Sequence, residues 1–141
     1  MKKKNIMLKN ILASIGGLAT ALGLIALLEM LDSSIYKLPP GLDSNNIEAL
    51  KIYIASLPVW ALLLLLLNYA LASFAGGMVA GLISRQMRQP VTIGVLLTMA
   101  NIINLHELPH PMWFMVLSSI LYVPFAFIGG RMGINFNSKT S

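Results

Sequence analysis

Four stretches of the chain carry no charged residue: 10–28, 52–84, 89–105 and 111–130. The second is the longest at thirty-three residues, and its centre, 59–83, reads VWALLLLLLNYALASFAGGMVAGLI. At 1.5 Å rise per residue this centre reaches about 38 Å, more than a hydrocarbon core of ~30 Å. It has no period-2 alternation, so a barrel strand is ruled out and a helix remains as the backbone that satisfies itself in lipid. The pattern predicts a transmembrane helix there and three more at the other runs. The third run is the shortest and carries Asn101 and Asn104, so a re-entrant or tilted segment is its alternative. Pro90 opens it at a first-turn position, where proline is tolerated. Pro124 lies inside the fourth and predicts a kink unless neighbours satisfy the carbonyl it frees.

Composition agrees with this pattern. With 57% hydrophobic and 11% charged residues and a mean hydropathy of +0.77, the 141-residue chain lacks the polar surface of a soluble domain. It reads as a single membrane domain, 1–141. The absence of Cys excludes disulfides and thiolate chemistry. The net charge of +5 is no nucleic-acid footprint, because the basic residues segregate by side. A cytoplasmic N-terminus puts Lys2, Lys3, Lys4, Lys9, Arg85, Arg88, Arg131 and Lys139 inside, with no acid. Outside then lie Glu29, Asp32, Asp43, Glu48 and Glu107, with only Lys37 and Lys51. Eight bases against two is the positive-inside signature of an N-in, C-in, four-span protein. Tyr36, Tyr53, Trp60 and Trp113 fall near the outer boundary as interfacial aromatics. The opening MKKKNIMLKN resembles a signal-peptide start, but nineteen uncharged residues follow without an A-x-A site, so it reads as an uncleaved anchor.

The outer loop contains LPPGLDSNN, which is turn chemistry. Ser44, Asn45 or Asn46 is placed to cap a short helix over IEALKIYIASL, whose Ile47, Leu50, Ile54 and Leu57 share a face suited to the membrane surface. The tail INFNSKTS reads as polar and frayed.

The two halves look like copies. Pro58, Trp60, Tyr69, Phe74, Gly76 and Gly77 recur, each 53 residues later, as Pro111, Trp113, Tyr122, Phe127, Gly129 and Gly130. The first and third runs align at an offset of 78, which pairs Gly16 with Gly94 and Glu29 with Glu107. Repeat 1 is 10–84 with a loop insertion at 32–56, and repeat 2 is 89–135. Both run in one direction, as a parallel repeat about an axis along the membrane normal. Gly16, Gly17, Gly76, Gly77, Gly81, Gly129 and Gly130 belong to small-residue faces that let helix backbones approach, within one chain or between chains.

Candidate chemistry is sparse. His106-Glu107-Leu108-Pro109-His110 matches H-E-x-x-H, but that zinc motif needs one unbroken helix and the prolines forbid it. A looser outer cluster of Glu29, Asp32, His106, Glu107 and His110 suits a divalent metal, with His106 and His110 as its imidazoles. Its competitor is structural, because the positive N-termini of the second and fourth spans and interfacial solvation explain the carboxylates without a ligand. On the repeat alignment Glu29 and Glu107 share one depth near the outer face. No charge then lies at mid-membrane, which disfavours a proton-coupled pump. Asn68, Asn101 and Asn104 are intramembrane polar residues whose ordinary role is interhelical hydrogen bonding and whose sharper one is a solute pathway. No catalytic triad, phosphate loop or cofactor fingerprint is present.

LPPGLDSNNIEALKIYIASLP, the Gly-Gly span and PHPMWF together resemble a set of small four-span bacterial inner-membrane proteins. The resemblance implies fold and location but no activity. The expectation is an all-α four-helix membrane bundle of two hairpins, surrounded by lipid, with no cofactor and no nucleic-acid partner. A homo-oligomer or a second membrane protein is the expected company. An accessory or interaction protein leads the functional readings, followed by a small oligomeric channel or transporter, then an outward-facing metal-dependent enzyme.

Overall fold

A computed structural model of the chain describes residues 2–35, 39–43, 45–108 and 110–140. Tyr36, Lys37, Ser44 and Pro109, which carried interfacial, charge, capping and helix-breaking roles above, lie outside the described residues. Those described are all-α, in five helices: α1 (Lys2–Ile35), α2 (Ile47–Ser56), α3 (Val59–Ser84), α4 (Arg88–Glu107) and α5 (Met112–Thr140). Helices α1, α3 and α5 are long and apolar enough to cross a membrane. Helix α4 has 20 residues, about 30 Å, and falls short in hydropathy because of its amides.

Helix α3 is the centre of the bundle, in contact with α1, α4 and α5, while α1 and α5 make no close approach. Two rows of small residues on α3 explain its position. On one row Gly76 and Ala80 meet α1, where a Cβ on Gly17 would lie 2.7 Å from the Gly76 carbonyl oxygen. On the other, Ser73 donates to the Tyr122 carbonyl, and a Cβ on Gly77 or Gly81 would fall on the backbone of Ala126 or Gly130. A Cβ on Gly129 would strike the Phe74 backbone and one on Gly130 the Pro90 ring, while one on Gly16 would come within 3.2 Å of the Ile83 Cδ1. The glycine faces therefore close contacts within one chain. Without a hydrophobic drive in lipid, such backbone proximity is what dispersion needs.

Helices α3 and α5 run parallel. Tyr69 stacks on Tyr122 with centroids 5.7 Å apart, and Gly77 and Gly130 also meet. Helix α5 continues through Pro124 and through the tail that reads as frayed from sequence. The tail is held because Asn137 Nδ2 donates to the Leu82 carbonyl at 2.7 Å and Asn137 Oδ1 accepts from Arg85 Nη2 at 3.0 Å. An end carbonyl of α3 is thus satisfied by a side chain of α5. Arg85 itself ends α3 in the left-handed region, at φ 58°.

Helix α2 forms where the turn chemistry places it, with Asn46 Oδ1 accepting from the Ala49 amide at 3.3 Å. It makes no close backbone approach to another helix and is held by side chains, Ile54 being buried.

Candidate functional site

The small-residue contacts decide the register of α1. With Gly17 level with Gly76 and Ala80, Ser14 Oγ reaches Gln89 Oε1 at 2.7 Å and Asp32 reaches Asn68. The first twelve residues of α1 therefore run about 18 Å beyond the Ser14–Gln89 contact. At the other end, Asp32 is half-buried against α3, while Glu29 stays exposed at the bundle's edge. Asn68 Nδ2 donates to Asp32 Oδ2 at 2.5 Å, at a point nine residues, about 14 Å, along α3 from Val59. Glu29 sits one turn further in. It borders a cavity of about 200 Å³ whose other polar lining is Tyr69, Asn101, Asn104 and Tyr122. Tyr122 lies ten residues, about 15 Å, into α5.

This departs from the shared depth expected of Glu29 and Glu107. Glu107 is the exposed last residue of α4, beside the start of α5. Glu29 instead borders a cavity with Tyr69 and Tyr122, each ten residues into its helix. The offset of 78 matches side chains along two helices, but each helix slides until its own small residues meet a partner, and α1 and α4 meet different ones. The outer cluster accordingly divides. Glu29 and Asp32 lie together beside α3, Asp32 half-buried and Glu29 exposed at the bundle's edge, whereas His106 borders a separate apolar groove between α4 and α5. Among the described residues no three His, Asp or Glu side chains converge to hold a metal.

His110 has a packing role. Its Nδ1–H donates to the Leu108 carbonyl at 2.6 Å, and its ring stacks on Phe114 at 4.8 Å and 18°. Leu108 is extended, at φ −125°, so the H-E-x-x-H segment is not one helix. Burial pushes the His110 imidazole below its ordinary 6.5, against a smaller upward pull from the Leu108 bond. Folding then favours the neutral ring. The stabilisation is complete above pH 6.5 and is lost as pH falls through the lower folded value. Protection factors of the amides over 110–114, after correction for the intrinsic exchange rate, are expected to be higher at pH 7.5 than at pH 5, with the difference abolished in His110→Phe. Equal protection at both pH values would refute this.

The asparagines also separate. Asn68 holds Asp32, Asn101 Nδ2 donates to Ser118 Oγ at 3.1 Å, and Asn104 is exposed at the mouth of the Glu29 cavity. Sequence reasoning missed Tyr69 and Tyr122 as site residues, although their spacing of 53 was the available signal. Both phenols border the cavity and can donate or accept.

Chemically, the arrangement offers two carboxylates on one helix face, i and i+3, with amide and phenol oxygens around them. Glu48–Lys51, at 3.5 Å, is the ion pair found among the described residues, and it lies on α2. A carboxylate in a poorly solvated bundle needs a cation, a proton or hydrogen-bond donors. Neutral oxygens facing it suit a cation that has shed part of its water. Searches of known protein families, curated proteins and solved structures find no match to the chain.

Proposed function

We propose that this is a multi-pass protein of the bacterial cytoplasmic membrane that binds a cation at Glu29 and moves it across the bilayer. The observation that carries the reading is the position of Glu29, which borders the Tyr69–Tyr122 cavity on one side and a second cavity, beneath α2, on the other. One carboxylate with access to two compartments of a bundle is what a transport site needs. The transport reading gives this carboxylate a role that the accessory reading does not, and is preferred on that ground. In this reading α4 is the fourth span, the termini are cytoplasmic and α2 lies on the outer surface. The segregation of basic residues supports that topology. The contacts between residues 53 apart in α3 and α5 support a parallel repeat, with α1 departing from it in register.

The test is flux into proteoliposomes. With a potassium diffusion potential imposed, wild-type chain is expected to take up a monovalent cation, inorganic or organic. Glu29→Gln is expected to lower the rate at least about tenfold, as loss of one membrane carboxylate–cation interaction of ~1.4 kcal/mol or more would do. His106→Gln, remote from the cavity, should leave it unchanged. Equal flux in wild type and Glu29→Gln would refute the proposal.

A further inference from the structure

The second cavity that Glu29 borders has a different character from the first. Its volume is about 380 Å³, within the range of roughly 300–1,000 Å³ typical of small-molecule sites. Leu50, Ile54 and Leu57 from the α2 segment and Ala61 and Leu65 from α3 form apolar walls. Glu29 and Asp32 stand on the α1 side, and Tyr53 contributes an aromatic ring. This is a greasy pocket with an anionic wall. Asp32 is already held by Asn68, so of the two carboxylates Glu29 is the one left to receive a ligand.

We infer that this cavity takes a bulky apolar monocation, an organic cation whose charge is buried in or flanked by hydrocarbon, rather than a bare inorganic ion. The inference rests on Glu29 being the binding carboxylate of the preceding reading and names the substrate class. Three features select the ligand. The walls reward removal of hydrocarbon from water, at a rate a hydrated metal ion cannot collect. The anionic side favours positive charge and rejects an anion of the same shape. The Tyr53 ring adds a cation–π surface that suits a diffuse charge. Helix α2 covers the pocket through side chains alone and makes no close backbone approach, so it can part from the bundle to admit a ligand of this size without breaking a helix–helix seam. Glu29 also borders the neighbouring, smaller cavity, so the ligand's charge lies at the junction of the two.

The experiment is equilibrium dialysis of radiolabelled tetraphenylphosphonium against the purified full chain in detergent, with tetraphenylborate as the anion of matching shape. Wild type is expected to bind the cation saturably. Affinity should fall at least about tenfold in Glu29→Gln and in Leu50→Trp, whose indole fills the pocket from a half-buried site on α2. Tetraphenylborate should not compete. Each variant is checked for an unchanged gel-filtration profile, and if Glu29→Gln fails that check, Leu50→Trp and the anion control still decide. Equal binding by wild type and Leu50→Trp, or competition by tetraphenylborate, would overturn the inference by reducing the signal to partition into the micelle. Glu29-dependent flux of inorganic cations without saturable tetraphenylphosphonium binding would also overturn it while leaving the transport reading intact. Saturable, Glu29-dependent binding with no flux of any cation would support the pocket and defeat the transport reading instead.

Discussion

Gly77→Val is expected to abolish the folded bundle, while Gly23→Ala leaves it intact. At Gly77 even a Cβ would overlap the carbonyl oxygen, Cα and carbonyl carbon of Ala126, all of them backbone atoms that cannot rotate away. Relief requires α3 and α5 to separate, which opens the Tyr69–Tyr122 stack and the Ser73–Tyr122 bond along the same seam. Ordinary overpacking of a core costs about 1–3 kcal/mol, and this substitution should exceed it because a whole helix pair must move. A Cβ at Gly23 meets nothing within 4 Å, so alanine there tests the general effect of losing a glycine from a helix. The readout is the fraction of chain that stays monodisperse in detergent after a temperature ramp. A Gly77→Val protein that melts with wild type would mean that the α3–α5 seam is not as close as described.

Asn68→Leu should be the next most damaging change. Its amide is the donor to Asp32, about 14 Å inside α3, and Asn68 is only 4% exposed. Removing a donor from a poorly solvated carboxylate costs about 1.5–3 kcal/mol, the range for hydrogen bonds to charged groups. Replacing both partners avoids most of that cost, since neither is then left unpaired. Asp32→Leu with Asn68→Leu is therefore expected to be more stable than Asn68→Leu alone, with a coupling of about 1 kcal/mol or more in the double-mutant cycle. Additive effects would show that the two side chains do not depend on each other.

Much of this architecture was legible along the chain. Uncharged runs marked α1, α3 and α5, because a helix needs about twenty apolar residues to cross lipid and few other constraints act on such a segment. Asn46 and the turn before it marked the start of α2, because capping is a local interaction of a side chain with the next few amides. The spacing of 53 was read as a repeat in one direction, and α3 and α5 do run parallel, with Tyr69 stacked on Tyr122. The amide content of α4 announced its weaker claim to the membrane, and the prolines around His110 announced that its zinc motif would not form.

The site was less legible. Glu29 and Asp32 follow the end of an uncharged run, and hydropathy alone assigns them to the surface. Hydropathy measures what a residue would prefer if its helix were free to choose its depth. In the bundle α1 is not free, because Gly17 and Ala21 reach close contact with Gly76 only at one register, and that register brings Asp32 level with Asn68 and Glu29 one turn beyond. The tail around Asn137 is a similar case, polar in composition and ordered because Leu82 and Arg85 of another helix need its amide. Composition and periodicity by themselves determined that this chain forms apolar helices, where their uncharged centres lie, and which small-residue faces can approach. Only the tertiary structure decided how far each helix slides against the next. That quantity depends on backbone contacts between segments distant in sequence, and it places a carboxylate between two cavities.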